Sequence, residues 1–234
     1  RKTTFVCINP EKFSLQKYIV LGVCAVGIPA AIQNLLNVTG MTILNNFTSS
    51  YGAQAVAAMG ITQKINMVPL QVAMGFSQGI MPLISYNYAS GNHRRMKETI
   101  FFTIKTLLPF LVVVSLGYFA GAGLLTRAFM DNEAIVAYGT RFLRGFCLGL
   151  PFLCMDFLAV GVFQAVGMGK AALSFAILRK IVLEIPALYL LNLLFPLYGL
   201  SYAQLVAELV LSIASVIMLA RIFRRMQRED GASS

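Results

Sequence analysis

Residues 55–92 read AVAAMGITQKINMVPLQVAMGFSQGIMPLISYNYASGN, a long apolar run that ends in a Gly-Asn turn and is followed by a basic cluster. A soluble protein rarely keeps so long a helix so apolar, because one face of the helix has to meet water. The stretch therefore predicts a membrane helix with one wet face. The polar side chains spaced along it are Gln63, Lys64, Asn66, Gln71 and Gln78.

Lys64 is the charged residue of this stretch, and it lies nine residues after Ala55. At a helical rise of roughly 1.5 Å per residue it sits about 14 Å into the helix. A hydrocarbon core is about 30 Å thick, so the sequence places this ammonium near the midplane of the membrane. A charge there costs about 2.5 to 3.5 kcal/mol, and we expect Lys64 to face the bundle interior or a water-filled cavity.

The composition agrees with a membrane protein. Of the 234 residues, 58% are hydrophobic and 12% are charged, and the mean hydropathy is +0.74. This is more apolar material than one globular core buries, so the lipid bilayer is the expected surrounding. The net charge of +10 comes from basic residues scattered between apolar runs without a nucleic-acid-binding motif. We therefore expect no nucleic-acid partner.

Six apolar segments predict an all-α, polytopic membrane protein with a cytoplasmic tail at 1–17, a six-helix unit at 18–223 and a second tail at 224–234. Basic residues concentrate in both tails and in the links after the second and fourth helices, which places both termini in the cytoplasm. Because the chain begins with Arg1, we expect it to belong to a longer polypeptide. The predicted helices are 18–46, 55–88, 99–125, 134–166, 171–194 and 200–223.

Prolines lie inside five of the six predicted helices. Each removes a backbone donor and marks an expected hinge or kink, and kinked helices near the midplane are the usual site architecture of transporters. The predicted hinge residues are Pro29, Pro69, Pro82, Pro151 and Pro186.

Four ionisable side chains are predicted at midplane depth, and such groups either pair with one another or line a substrate or ion path. Two amides on the first helix, one turn apart, share a face and extend this set. The predicted pathway residues are Gln33, Asn37, Gln63, Lys64, Asn66, Asp156, Glu184 and Glu208.

Several of these residues also have a purely structural interpretation. Lys180 and Glu184 are four residues apart on one helix, a spacing that favours mutual neutralisation. Glu208, one turn after Gln204, either clasps a neighbouring helix or takes part in function. Between helices, the sequence is compatible with a buried pair of Lys64 and Asp156, either static or exchanging with a cation and cargo.

Enzyme signatures are missing from the sequence. It contains no Ser-His or HExxH arrangement, no P-loop and no dinucleotide-binding glycine motif. The four cysteines form no CxxC pair and the single histidine lies in a basic segment, so no metal site is predicted. We expect a protein that is not an enzyme and has no cofactor.

Four segments together resemble the multidrug and toxic compound extrusion family of cation-coupled antiporters. GIMPLISYNYASGN at 79–92 is similar to the PLIGYNYGAGN-like run that closes the second helix of each half. GIP at 27–29, followed by NVT at 37–39, is similar to the start of the family's seventh helix. VFQAVG at 162–167 stands where many members have a VLRGAGD-like turn. The resemblance covers nearly the whole chain and corresponds to the C-terminal six-helix half.

The resemblance implies one lobe of a twelve-helix transporter in a bacterial cell membrane, partnered by an N-terminal six-helix half. It implies alternating access and export of lipophilic or cationic drugs or toxins in exchange for Na⁺ or H⁺. The chain departs from the family where some members carry a cation-binding carboxylate on the seventh helix, because Asn37 stands there. The arginine and aspartate of the family's VLRGAGD-like turn appear as Gln164 and Met168, so the coupling acid is expected in the other half.

Two alternatives remain open. A flippase of lipid-linked oligosaccharides shares the broad superfamily and would show a more cationic central cavity. A non-transporting membrane scaffold belongs to another class, and the four midplane charges argue against it.

Overall fold

A computed structural model describes residues 16–232, and within them the chain is helical apart from short turns. A π-helical segment, Leu178–Glu184, joins α6 and α7. The all-α prediction is confirmed. The helices are α1 (Lys17–Ser49), α2 (Ala53–Ala89), α3 (His93–Phe129), α4 (Glu133–Cys147), α5 (Leu150–Ala165), α6 (Gly169–Ile177), α7 (Ile185–Leu194) and α8 (Gly199–Ala232).

The helices match the predicted membrane spans in most places. By length and apolarity, α1, α2, α3 and α8 each suffice to cross a membrane, and α4 and α5, which meet at 48°, suffice when they are taken together as one span. The fifth predicted helix, 171–194, corresponds to α6, the π segment and α7, which follow one another without a break. The polytopic prediction is thereby confirmed.

The largest differences from the predicted helices are at three places. α3 begins at His93 rather than at 99, so the basic cluster forms its first turns. α8 continues to Ala232, through the residues predicted as a tail from 224 onwards. The predicted single helix 134–166 is two helices that meet at a break. Residues 1–15 of the predicted N-terminal tail lie outside the described residues.

Two of the predicted hinge prolines show how a membrane helix tolerates a missing donor. Pro69 leaves the carbonyl of Ile65 without its usual helical partner, and the hydroxyl of Tyr118 donates to that oxygen at 3.3 Å. Pro151 does the same to the carbonyl of Cys147, which accepts from the Ser115 hydroxyl at 2.6 Å. Both hydroxyls come from α3. An unpaired carbonyl in lipid would be costly, so α3 fixes the position of both prolines.

The other predicted hinges behave differently. Pro29 and Pro82 lie inside helices that continue past them. Pro186 stands in the first turn of α7, directly after the π segment, and the chain is helical on both sides of it. In that wider turn the Ile185 amide bonds to the Lys180 carbonyl five residues back. A π turn before a proline re-satisfies backbone groups that the missing N–H would leave free.

The packing places α2 at the centre of the lobe, against α3, α4 and α5, while α8 packs on α5 and α7. The α2–α5 contact is close at Gly161, where a side chain would collide with Ser77, whose hydroxyl donates to the Phe157 carbonyl at 2.7 Å. α1 lies at the edge and contacts mainly α6 and α2. Its most apolar window has no buried residue. One side of the lobe is therefore open.

Candidate functional site

A cavity of about 140 Å³ lies between α1, α2, α5 and α6. It is lined by hydrogen-bonding side chains and by charged groups at one wall. Asn34, Asn37 and Gln78 line it while remaining exposed, so the cavity reaches the open side of the lobe. Its polar lining is Gln33, Asn34, Asn37, Ser77, Gln78, Asp156, Gln164, Arg179 and Lys180.

The structure brings some of the predicted pathway residues together at this cavity. Gln33, Asn37 and Asp156 line it, although α1 and α5 are far apart in sequence. The Gln164 amide donates to the Gln33 side-chain oxygen at 3.2 Å, and this bond ties α1 to α5. The predicted polar face of the first helix is thus the cavity wall.

Behind the cavity wall lies a group of five charged side chains, which we call the charge cluster: Asp156, Arg179, Lys180, Glu184 and Glu208. The Arg179 guanidinium stands between two helices and donates to both. It bonds to Asp156 Oδ2 on α5 at 3.0 Å and to Glu208 Oε1 on α8. Its face lies 5.4 Å from the centroid of the Phe157 ring. Arg179 therefore holds α5, α8 and the π segment together.

Lys180 and Glu184 form the second part of the charge cluster. The Lys180 ammonium donates to Glu184 Oε1 at 2.7 Å, which confirms the predicted pair within one helix. The lysine side chain passes over Gly40 of α1, where a β-carbon would come within 3.1 Å of its Nζ. Gly40 thus leaves room for the lysine, and α1 closes this side of the charge cluster.

The charge cluster holds three carboxylates against two cations. Asp156, Lys180, Glu184 and Glu208 are each at most 9% exposed, and the Arg179 side chain is 12% exposed. Glu184 Oε2 and Glu208 Oε2 are buried and accept no hydrogen bond within residues 16–232. Buried charges in proteins are paired or neutralised, so the surplus negative charge calls for one proton or one bound monovalent cation. No metal-binding group of three His, Cys, Asp or Glu occurs among the described residues.

These contacts test two of the predicted interactions. The suggested pair of Lys64 and Asp156 is wrong, because Lys64 is exposed on α2 while Asp156 is buried against Arg179. Of the two alternatives stated for Glu208, the clasp is present, because its carboxylate accepts from Arg179 of the neighbouring π segment. The physical reason is that Arg179 reaches from the π segment to both Asp156 and Glu208. Residue spacing within α2 or α8 does not indicate these contacts between helices.

The remaining predicted pathway residues lie away from the cavity lining. Lys64 is exposed, and Gln63 is half-buried and donates to the Asn45 side chain of α1 at 3.4 Å. Asn66 is 4% exposed, and its side-chain oxygen accepts no hydrogen bond within the described chain. Glu184 and Glu208 belong to the charge cluster behind the wall.

Arg179 and Gln164 are the functional candidates that the sequence interpretation missed. The sequence analysis assigns no role to Arg179, and it names Gln164 only as a departure from a family motif. The sequence did contain an indication for Arg179. Three acids and one lysine at midplane depth leave an excess of negative charge, which a further cation reduces. No local pattern indicates the Gln164–Gln33 bond.

The sequence model of the MatE family matches residues 29–190, a stretch that contains the whole cavity lining. The chain belongs to the MatE family. It is similar to the multidrug export protein MepA of Staphylococcus saprophyticus, with 32% identity over 220 residues that cover 94% of this chain and 48% of the relative. It is also similar to MepA of Staphylococcus haemolyticus, with 31% identity, covering 97% of this chain and 50% of that protein. The chain thus spans about half the length of the curated relatives it matches.

Solved MATE transporters share the fold. An outward-facing multidrug resistance MATE family transporter matches with a TM-score of 0.87 at 19% identity, covering 96% of this chain and 51% of that one. The bent form of Vibrio cholerae VcmN matches with a TM-score of 0.83 at 19% identity, covering 91% and 49%. The lobe described above is therefore the half-transporter architecture of this family, as the resemblance implied.

Proposed function

We propose that this chain is one lobe of a secondary exporter that moves lipophilic organic compounds, including cationic ones, out of a bacterial cell in exchange for Na⁺ or H⁺. The observation that carries the proposal is the polar cavity, which opens on the side formed by α1 and α2 and has a buried, unevenly charged cluster behind it. Amides and charges of this kind are costly in hydrocarbon. They suit a wall of a water-filled transport path.

The open side also supports a partner for this lobe. Asn34, Asn37, Lys64 and Gln78 are exposed on α1 and α2, where lipid would leave their polar groups unsatisfied. The relatives are about twice as long as this chain. We propose that a second six-helix half faces this side, that cargo enters between the halves, and that both termini of the chain lie in the cytoplasm.

The charge cluster is the proposed site at which the exchanged cation acts in this lobe. Its surplus negative charge can be met by a proton or a monovalent cation that arrives through the cavity, which borders Asp156 directly. Gain or loss of that charge changes the attraction of Asp156 and Glu208 for Arg179, and so changes how α5, α8 and the π segment hold together. This is a two-state contact that an ion gradient can bias. This site would act in addition to the coupling acid expected in the other half.

The proposal is tested with the full-length transporter in proteoliposomes, with ethidium as cargo. We expect ethidium transport driven by an imposed Na⁺ or H⁺ gradient, and a loss of roughly tenfold or more in Asp156→Asn, since a fixed group at a site of developing charge is worth several kcal/mol. Asp131→Asn is the control, because this acid is 90% exposed at the α3–α4 link. Unchanged transport by Asp156→Asn at equal protein content would contradict the role of the charge cluster.

The two rival functions have distinct outcomes in the same vesicles. A scaffold would move no ethidium under any gradient. A flippase of lipid-linked oligosaccharides would transfer such a lipid between leaflets and leave ethidium in place. The described cavity wall does not favour the flippase, because its cations Arg179 and Lys180 are already bonded to carboxylates.

A further inference from the structure

Lys64 is a charged residue of the membrane-spanning part that the charge cluster does not explain. It lies 11 residues after Ala53 on α2, about 16 Å along the helix. Its side chain is exposed and forms no ion pair within residues 16–232. A single ammonium at this depth has to meet water or an anion.

The face of α2 that carries Lys64 is too polar to lie against lipid. Gln71 and Gln78 follow it at intervals of seven residues, which brings all three onto one side of the helix. Both amides are exposed and make no hydrogen bond within the described chain. A lysine can extend toward the interface, but a glutamine amide is too short to do so. This face is therefore wet, and its Gln78 end forms part of the cavity lining.

Within the described residues, Lys64 is the charged residue of this wet face that has no partner of opposite charge. Arg179 bonds to Asp156 and Glu208, and Lys180 bonds to Glu184. The cations of the cavity lining are thus bonded to carboxylates, and the surplus charge of the cluster behind the cavity is negative. A compound that moves along α2 meets a net positive charge at Lys64.

We infer that Lys64 is a specificity-determining residue that selects cargo carrying a carboxylate, so that amphiphilic zwitterions are preferred over the corresponding pure cations. This inference rests on the proposed export function. A unit positive charge attracts the carboxylate of a zwitterion and repels an ester analogue that has lost it. The expected preference is about fivefold, from one unit-charge pair at about 4 Å in water, and larger where the cavity excludes water.

The test compares rhodamine B, which has a free carboxylate, with its ethyl ester, which is a cation with the same fluorophore. Export of each dye is measured in proteoliposomes that contain the full-length transporter, and the ratio of the two rates removes differences in protein amount. We expect the wild type to favour the acid. Lys64→Arg should keep the preference, Lys64→Gln should lower the ratio about fivefold, and Lys64→Glu should lower it further.

The possible outcomes separate this inference from the proposed function. A ratio that stays the same in Lys64→Gln and Lys64→Glu, or a wild type that favours the ester, would overturn the inference and leave export standing. An equal loss of both dyes in Lys64→Gln would also overturn it, because it would point to an acid of the other half as the partner of Lys64. If the wild type moved neither dye, both the inference and the proposed function would fail.

Discussion

The charge cluster and Lys64 lie in the same lobe but place their charges in opposite situations. In the charge cluster, Arg179 reaches two carboxylates from different helices and is buried with them. Lys64 is exposed and has no ionic partner within the described residues. The sequence suggested that the two regions were joined, through a pair of Lys64 and Asp156. They are separate, because one faces the lobe interior and the other faces its open side.

This difference shows what a charge in a membrane protein can do. A buried, bonded charge ties helices together, and its loss is paid in stability because its partners stay behind without it. An exposed charge on a wet face holds nothing together, and its loss should appear in what is bound rather than in how stable the protein is. Substitutions in the charge cluster should therefore lower stability, whereas substitutions of Lys64 should change which compounds are bound.

The largest effect is expected for Arg179→Gln. This change leaves Asp156 and Glu208 buried without their common partner, and breaking a buried ion pair destabilises by about 3–5 kcal/mol. Thermal or denaturant unfolding of the full-length protein in detergent measures it. Arg94→Gln is the matched control, since the Arg94–Glu98 pair is exposed and its loss should give no measurable shift. If Arg179→Gln were as stable as the wild type, the claim that the charge cluster ties the helices together would be contradicted.

A smaller effect is expected for Gly161→Ala, which tests how tightly α5 is held against α2 in front of the charge cluster. The added methyl would overlap the Ser77 side chain, and overpacking of this kind costs about 1–3 kcal/mol. Gly75→Ala, on the exposed side of α2 with no atom within 4 Å, is the control. If Gly161→Ala unfolded at the same midpoint as Gly75→Ala or a higher one, the α2–α5 contact would be able to accommodate the extra methyl group.

Next comes the amide bridge that ties α1 to α5. Gln164→Ala removes the bond to Gln33, with an expected loss of about 0.5–1.5 kcal/mol for one hydrogen bond. Because α1 is little buried, the loss should appear locally, as faster backbone hydrogen exchange in α1 with little change in α8. Gln33→Ala should give the same pattern, and the double variant should add little more. Additive losses would mean that the two amides act independently.

The smallest effect on stability is expected for Lys64→Gln. The side chain makes no ion pair within residues 16–232, so the unfolding midpoint should match that of the wild type. Substitutions of exposed residues away from such contacts usually have little effect. A clear loss of stability in the full-length protein would show that Lys64 is bonded to the other half, and would move it into the same class as Arg179.

Part of the candidate site could be predicted from residue spacing. Gln33 and Asn37 share a face because they are one helical turn apart, and the structure places both on the cavity wall. The pair of Lys180 and Glu184 follows from the same rule and is present at 2.7 Å. The contacts of Arg179 and of Gln164 join residues that are 23 to 131 positions apart, and no spacing along one helix contains that information.

The sequence by itself determined the apolar helices, the class of membrane protein, the positions of the prolines and the presence of several ionisable groups at membrane depth. These features depend on local composition and on the helical period. Only the tertiary structure decided which charges meet, that α4 and α5 are bent by 48°, and that hydroxyls of α3 satisfy the carbonyls freed by Pro69 and Pro151. The physical reason is that a partner is chosen by the rotation and tilt of neighbouring helices, and here by the π segment that directs Arg179 toward α5 and α8.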